Sequence, residues 1–169
     1  CLDLFAKHYQ KGEPIPSDLV AKIKKAANFQ QGYMTLRQLS FALLDMAYHS
    51  QDPGQIHDTK AFESQVLKGT ELLPSVENTR ISTSFSHIFQ GGYSSGYYSY
   101  KWAEVLDADA FEYFKEKGIF NKSIASKFKN NILSKGGTED PMELYIKFRG
   151  RKPTINALLK RSSISKNKI

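Results

Sequence analysis

With 169 residues, 40% of them hydrophobic, the chain is long enough for one domain with a packed core, and no apolar run is long enough to span a membrane. Its single cysteine, Cys1, excludes an internal disulfide framework and fits a reducing compartment, so a cytoplasmic location is expected. The net charge of +7 invites a nucleic-acid partner, but much of the excess lies in Lys160, Arg161, Lys166 and Lys168, a tail that faces no acidic residue in the sequence. Elsewhere the cations alternate with Asp and Glu, as at Lys101 and Glu104, which describes a solvated face. Neither nucleic acid nor a membrane is expected as a partner.

In chain order the periodic signals are helical. CLDLFAKHY starts without an initiating Met and reads as the middle of a helix, so the chain is expected to be a piece of something larger. KGEPIP stops that helix. Ser17 is the predicted cap of the next one, with Val20 and Ile23 facing inward, and a turn is expected around Gly32. Thr35 opens TLRQLSFALLDMAYHS, where Leu36, Leu39, Leu43, Met46 and Ala47 recur at helical spacing. Residues 51–60 read as a linker, and AFESQVLKGTELL as a short helix ended by Pro74. Residues 74–92 read as a long loop.

The clearest helix is YYSYKWAEVLDADAFEYFKEKG, with Trp102, Val105, Leu106, Ala110 and Phe114 as its apolar stripe and Gly118 as its stop. Asn121 caps a helix that runs to Gly136 and Gly137, Asp140 and Pro141 open another, and Thr154 caps a last one. Residues 162–169 read as a frayed tail. The fold class is all-α, a single helical domain or fragment over 1–169.

The chemistry is sparse. His8, His49, His57 and His87 show no His-Glu-x-x-His spacing, and without a second cysteine a thiolate metal site is excluded. No Gly-x-Ser-x-Gly turn appears, and no strand precedes Gly91 and Gly92, which argues against a phosphate cradle. What stands out is HIFQGGYSSGYYSY, residues 87–100, with four of the nine tyrosines. A helix beginning near Tyr93 would put Tyr93, Tyr97 and Tyr100 on one face. A neutral phenol donates a hydrogen bond without carrying charge, as a developing oxyanion requires, and His87 adds a further donor. The same spacing also describes tyrosines packed against neighbouring helices, and the residues by themselves leave both readings open.

FSHIFQGGYSSGYYSYKWAEVLDADAF resembles the segment that follows the zinc site in the thimet oligopeptidase family, in particular its oligopeptidase A and peptidyl-dipeptidase branch. HYQKGEPIPSDL, NFQQGYMTLRQLSFALLDMAYH and GIFNKSIASKFKNNILSKGGTEDPMELYIKFRGRKP extend the likeness over nearly the whole chain. The resemblance implies the C-terminal part of a larger helical zinc metallopeptidase that cleaves short peptides. Its zinc-binding helix and downstream glutamate have no counterpart here, so zinc is expected in the full-length enzyme and none in this chain. The expected partners are short peptide substrates and the missing N-terminal part of the same protein. By the same resemblance, Tyr93, Tyr100 and His87 face the scissile carbonyl, Tyr97 lines the same pocket, and Gly91 and Gly92 form a mobile glycine loop. The rival expectations are a non-catalytic peptide-binding or structural module and, further off, a basic nucleic-acid-binding domain. The chain alone is expected to lack peptidase activity.

Overall fold

Residues 2–164 are described by the computed structural model, and their regular structure is helical, so the chain is all-α. A single turn, α1 (Leu2–Phe5), leads into KGEPIP, where an isolated antiparallel bridge joins Lys7 to Pro14. The second helix, α2 (Ser17–Ala27), has Ser17 as its first residue and not as its cap. Pro16 holds the cap position, and Asp18 in the first turn with Lys24 and Lys25 in the last complement the helix dipole instead. The expected inward face is not buried: Ile23 is exposed, and α2 has no buried residue.

Helix α3 (Gln31–Ser50) carries the fold's first core. It starts ahead of Thr35 and runs through Gly32, because the break comes earlier, at Gln30 in the left-handed region (φ 53°). Most of the predicted stripe lies on the uncovered side, with Leu36 and Ala47 half-buried. Leu39, Leu43 and Met46 are exposed, while Phe41, Ala42 and Leu44 are buried. FALLDMAY is apolar around more than one face, so its period alone does not say which face is covered.

Asp58 caps α4 (Thr59–Leu67), its Oδ1 accepting from the N–H groups of Lys60 and Ala61 at 2.8 and 3.1 Å. That helix ends well before Pro74. Within 74–92 lie a short helix, α5 (Ile81–Ser84), and a 3-10 turn over Ser86–Ile88. Leu44, Leu67 and Ile88 pack together, Phe41, Ala42 and Tyr97 form a second group, and Ile81 and Phe85 touch both.

The C-terminal half is built on α6 (Ser99–Lys117), which stops at Gly118 (φ 100°), a backbone angle that disfavours any Cβ. Of its predicted stripe, Val105 and Ala110 are buried, Leu106 and Phe114 partly so, and Trp102 is 45% exposed. Asn121 caps α7 (Lys122–Phe128), accepting from Ser123 N at 2.9 Å, and a π turn over Lys129–Leu133 extends it. Pro141 opens α8 (Pro141–Arg149), with Asp140 Oδ1 accepting from Glu143 N at 3.0 Å. The last helix, α9 (Asn156–Arg161), starts beyond Thr154, which does not cap it.

Phe148, fully buried, is the centre of the second core, with Ala110, Ile124 and Tyr145 around it. Burying one such ring is worth about 1.5–3 kcal/mol. The tail cations that lack acidic neighbours in the sequence find them in space: Lys160 pairs with Glu112 and Arg161 with Asp107, each at 2.5 Å. Of the tail, Ser162 is buried and Asn28 Nδ2 donates to Ser163 Oγ at 2.8 Å, whereas Lys166 and Lys168 lie outside the described residues, as does Cys1.

Candidate functional site

The tyrosine segment enters α6 through a series of tight turns. Tyr93 O accepts from Gly96 N at 2.8 Å, Gly96 O from Ser99 N at 3.0 Å, and Tyr97 O from Tyr100 N at 3.3 Å. Regular helix therefore begins at Ser99, not near Tyr93. The cause is a competing acceptor. Asp45, fully buried on α3, takes Ser95 N on Oδ1 at 2.8 Å and Tyr97 N on Oδ2 at 2.9 Å. Regular helix would send Tyr97 N–H to the Tyr93 carbonyl. Ser95 is itself left-handed (φ 53°), a conformation that costs about 1–3 kcal/mol and persists where surroundings hold it.

The three phenols nonetheless meet. Tyr93 and Tyr100 stack with centroids 5.6 Å apart at 27°, and Tyr97 lies 5.1 Å from Tyr100. His87 is 5.6 Å from Tyr93 and stacks on Phe85 at 5.1 Å. Phe85 stacks on Phe41 at 4.3 Å, and Phe41 meets Tyr97 edge-on at 5.8 Å. The rings close a circuit: Phe41, Phe85, His87, Tyr93, Tyr100, Tyr97 and back. Its inner arc of phenylalanines belongs to the core, and its outer arc faces solvent, with His87 and Tyr100 exposed and Tyr93 half-buried.

The phenols differ in what they offer. Tyr97 is buried and donates its hydroxyl to Gln38 Oε1 at 3.0 Å, and burial pushes its phenol above the ordinary value. The Tyr93 hydroxyl beside it pushes the Tyr100 phenol up as well. Both groups keep their protons at neutral pH and can donate. Gly91 and Gly92 precede them at φ 76° and 79°, and a Cβ on Gly91 would stand 3.4 Å from the Tyr93 ring.

A second buried carboxylate holds the other end of this segment. Glu63 on α4 accepts from Ile81 N at 2.9 Å, from Ser82 N at 2.8 Å and from the Ser82 hydroxyl at 2.5 Å. Tyr48 adds a hydroxyl bond to Ser82 Oγ at 2.7 Å. Sequence reasoning missed both Asp45 and Glu63. The available signal was a lone acid in SFALLDMAY, since a carboxylate among apolar helix residues needs partners if that face is buried.

Neither of two large cavities is lined by Tyr93 or Tyr100. One, about 510 Å³, lies between α6, the π turn and α8, with Trp102, Leu106, Phe128 and Met142 on its walls. The other, about 480 Å³, lies between α3, α4 and the segment before α5. Among the described residues no three His, Cys, Asp or Glu side chains come together. No described helix is long and apolar enough to cross a membrane.

The chain is 45% identical to oligopeptidase A of Haemophilus influenzae over 168 residues, and 45% identical to oligopeptidase A of Escherichia coli over 167; each match covers 96% of this chain and 24% of the relative. It is 36% identical to the dipeptidyl carboxypeptidase of Escherichia coli, over 95% of this chain and 24% of that protein. The chain thus spans about a quarter of the length of the curated relatives it matches. The model for peptidase family M3 matches residues 1–164, and the chain belongs to peptidase family M3.

Proposed function

We propose that this chain is the C-terminal part of a zinc oligopeptidase that hydrolyses short peptides, in the cytoplasm, and that the His-Glu-x-x-His motif lies upstream, outside these residues. Family membership supports peptide hydrolysis. The observation that carries the site is the stacking of the half-buried Tyr93 on the exposed Tyr100, 5.6 Å apart, with His87 beside them.

In this reading Tyr100 and Tyr93 donate hydrogen bonds to the carbonyl oxygen of the scissile peptide as it gains negative charge. A neutral donor held in place costs no reorganisation at the moment of reaction. His87 binds the peptide backbone, Gly91 and Gly92 let that backbone approach closely, and Tyr97 supports the donors from beneath through its bond to Gln38. None of these side chains replaces the metal. They bind and orient the substrate and stabilise charge on it.

In the full-length protein that carries this chain, Tyr100→Phe should lower kcat by about a hundredfold to a thousandfold, the usual cost of one such donor, with little change in KM. Steady-state kinetics on a short peptide decide it. A rise in KM alone would contradict the donor role, because it would mean substrate and transition state lost binding equally.

A further inference from the structure

We infer that Asp45 is a positioning residue of this site: its buried carboxylate sets the backbone between Tyr93 and Tyr100 and thereby places both phenol hydroxyls. The inference rests on the donor role proposed above.

The geometry separates Asp45 from an ordinary buried acid. It lies on α3 among Phe41, Ala42 and Leu44, where an uncompensated charge is costly, yet among the described residues no Lys or Arg pairs with it. Its partners are the two backbone N–H groups that flank Gly96 and the His49 ring, whose Nδ1 is 3.0 Å from Oδ1. Each carboxylate oxygen holds one backbone amide. Together they fix the turn at Gly96, the residue whose own N–H closes on the Tyr93 carbonyl. Tyr93 lies just before that turn and Tyr100 just after it. A slip of either amide moves one hydroxyl relative to the other, and a displacement near 1 Å can cost about a hundredfold in rate.

Asp45→Asn keeps the shape but turns one acceptor oxygen into a donor, so one of the two amides loses its partner. In the full-length protein it should lower kcat about tenfold to a hundredfold with KM little changed. Placed in a Tyr100→Phe background, the same substitution should cost much less than it does alone, because the hydroxyl it positions is already gone. An equal loss in both backgrounds means that Asp45 serves only the fold, and the inference fails. Tyr100→Phe measured alone separates the two ideas. If it leaves kcat unchanged, the donor role is wrong; if it lowers kcat and Asp45→Asn does not, only the role of Asp45 is wrong. Should Asp45→Asn fail to fold, amide exchange in the unsubstituted protein decides. The Ser95 and Tyr97 amides must then be protected as strongly as the interior of α3, and exchange at the rate of an open loop overturns the inference.

Discussion

Two buried aspartates do opposite jobs in the two halves of this molecule. Asp109 on α6 is surrounded by side chains: Arg151 donates to it at 2.7 Å, the Tyr145 hydroxyl at 2.7 Å, and Arg149 Nε stands 3.5 Å away without a hydrogen bond. Asp45 on α3 meets backbone N–H groups and one histidine. The first ties α6 to α8 and to the segment after it, and what it fixes is the relation between elements. The second fixes the path of six residues between a glycine pair and a helix. Side-chain cations hold a core together, whereas backbone amides specify a conformation, and the tyrosines ride on the latter.

The difference is measurable. Asp109→Ala would take their acceptor from Arg151 and the buried Tyr145 hydroxyl and leave Arg149 held by Glu116, and its cost should be about 3 kcal/mol in denaturant unfolding. Asp45→Ala strips an acceptor from neutral amides and should cost less, about 1–3 kcal/mol. If the order reverses, the contrast between the two halves is wrong.

Acid sharpens it next. Burial pushes the Asp109 carboxyl up, but the hydrogen bonds from Arg151 and Tyr145 and the charges of Arg151 and Arg149 outweigh it, so the group lies below its usual 3.8. Bonds from Lys115 and Lys160 hold Glu112 at about 2. A depressed value in the folded state means the stabilisation is complete above the ordinary carboxylate range and is lost as pH falls through it. Tm should therefore drop between about pH 5 and pH 2, and Glu112→Gln should flatten that slope by removing the link between α6 and α9. A slope unchanged by the substitution would locate the acid sensitivity elsewhere. The smallest effect is expected for Arg161→Ala. Its ion pair with Asp107 is exposed, so the loss should stay below about 1 kcal/mol and shrink further in salt.

Helices were legible in the sequence wherever a local rule acts alone. Asn121 and Asp140 cap as their side chains dictate, Pro141 opens α8, and Gly118 ends α6. Rules that need a partner in space were not. The covered face of α3 depends on Phe85, Ile88 and Tyr97, which arrive from more than thirty residues away, and its apolar sequence admits either face. The start of α6 depends on Asp45, whose carboxylate outcompetes the local carbonyl for the Tyr97 amide. Helical spacing anticipated the meeting of Tyr93, Tyr97 and Tyr100, and a family likeness added His87 to them. The tyrosines do meet, but through turns and stacking and not through one helix face.

Trp102 gives these regions a common optical reporter. It is the chain's one tryptophan, it stands two residues past Tyr100, and its half-exposed indole forms part of the wall of the apolar cavity beside α8. Light absorbed by the tyrosine stack can therefore pass to a single emitter at the junction of the halves, whose colour follows its contact with water. A change in packing at the phenols or around the cavity would register there, without any dye being attached.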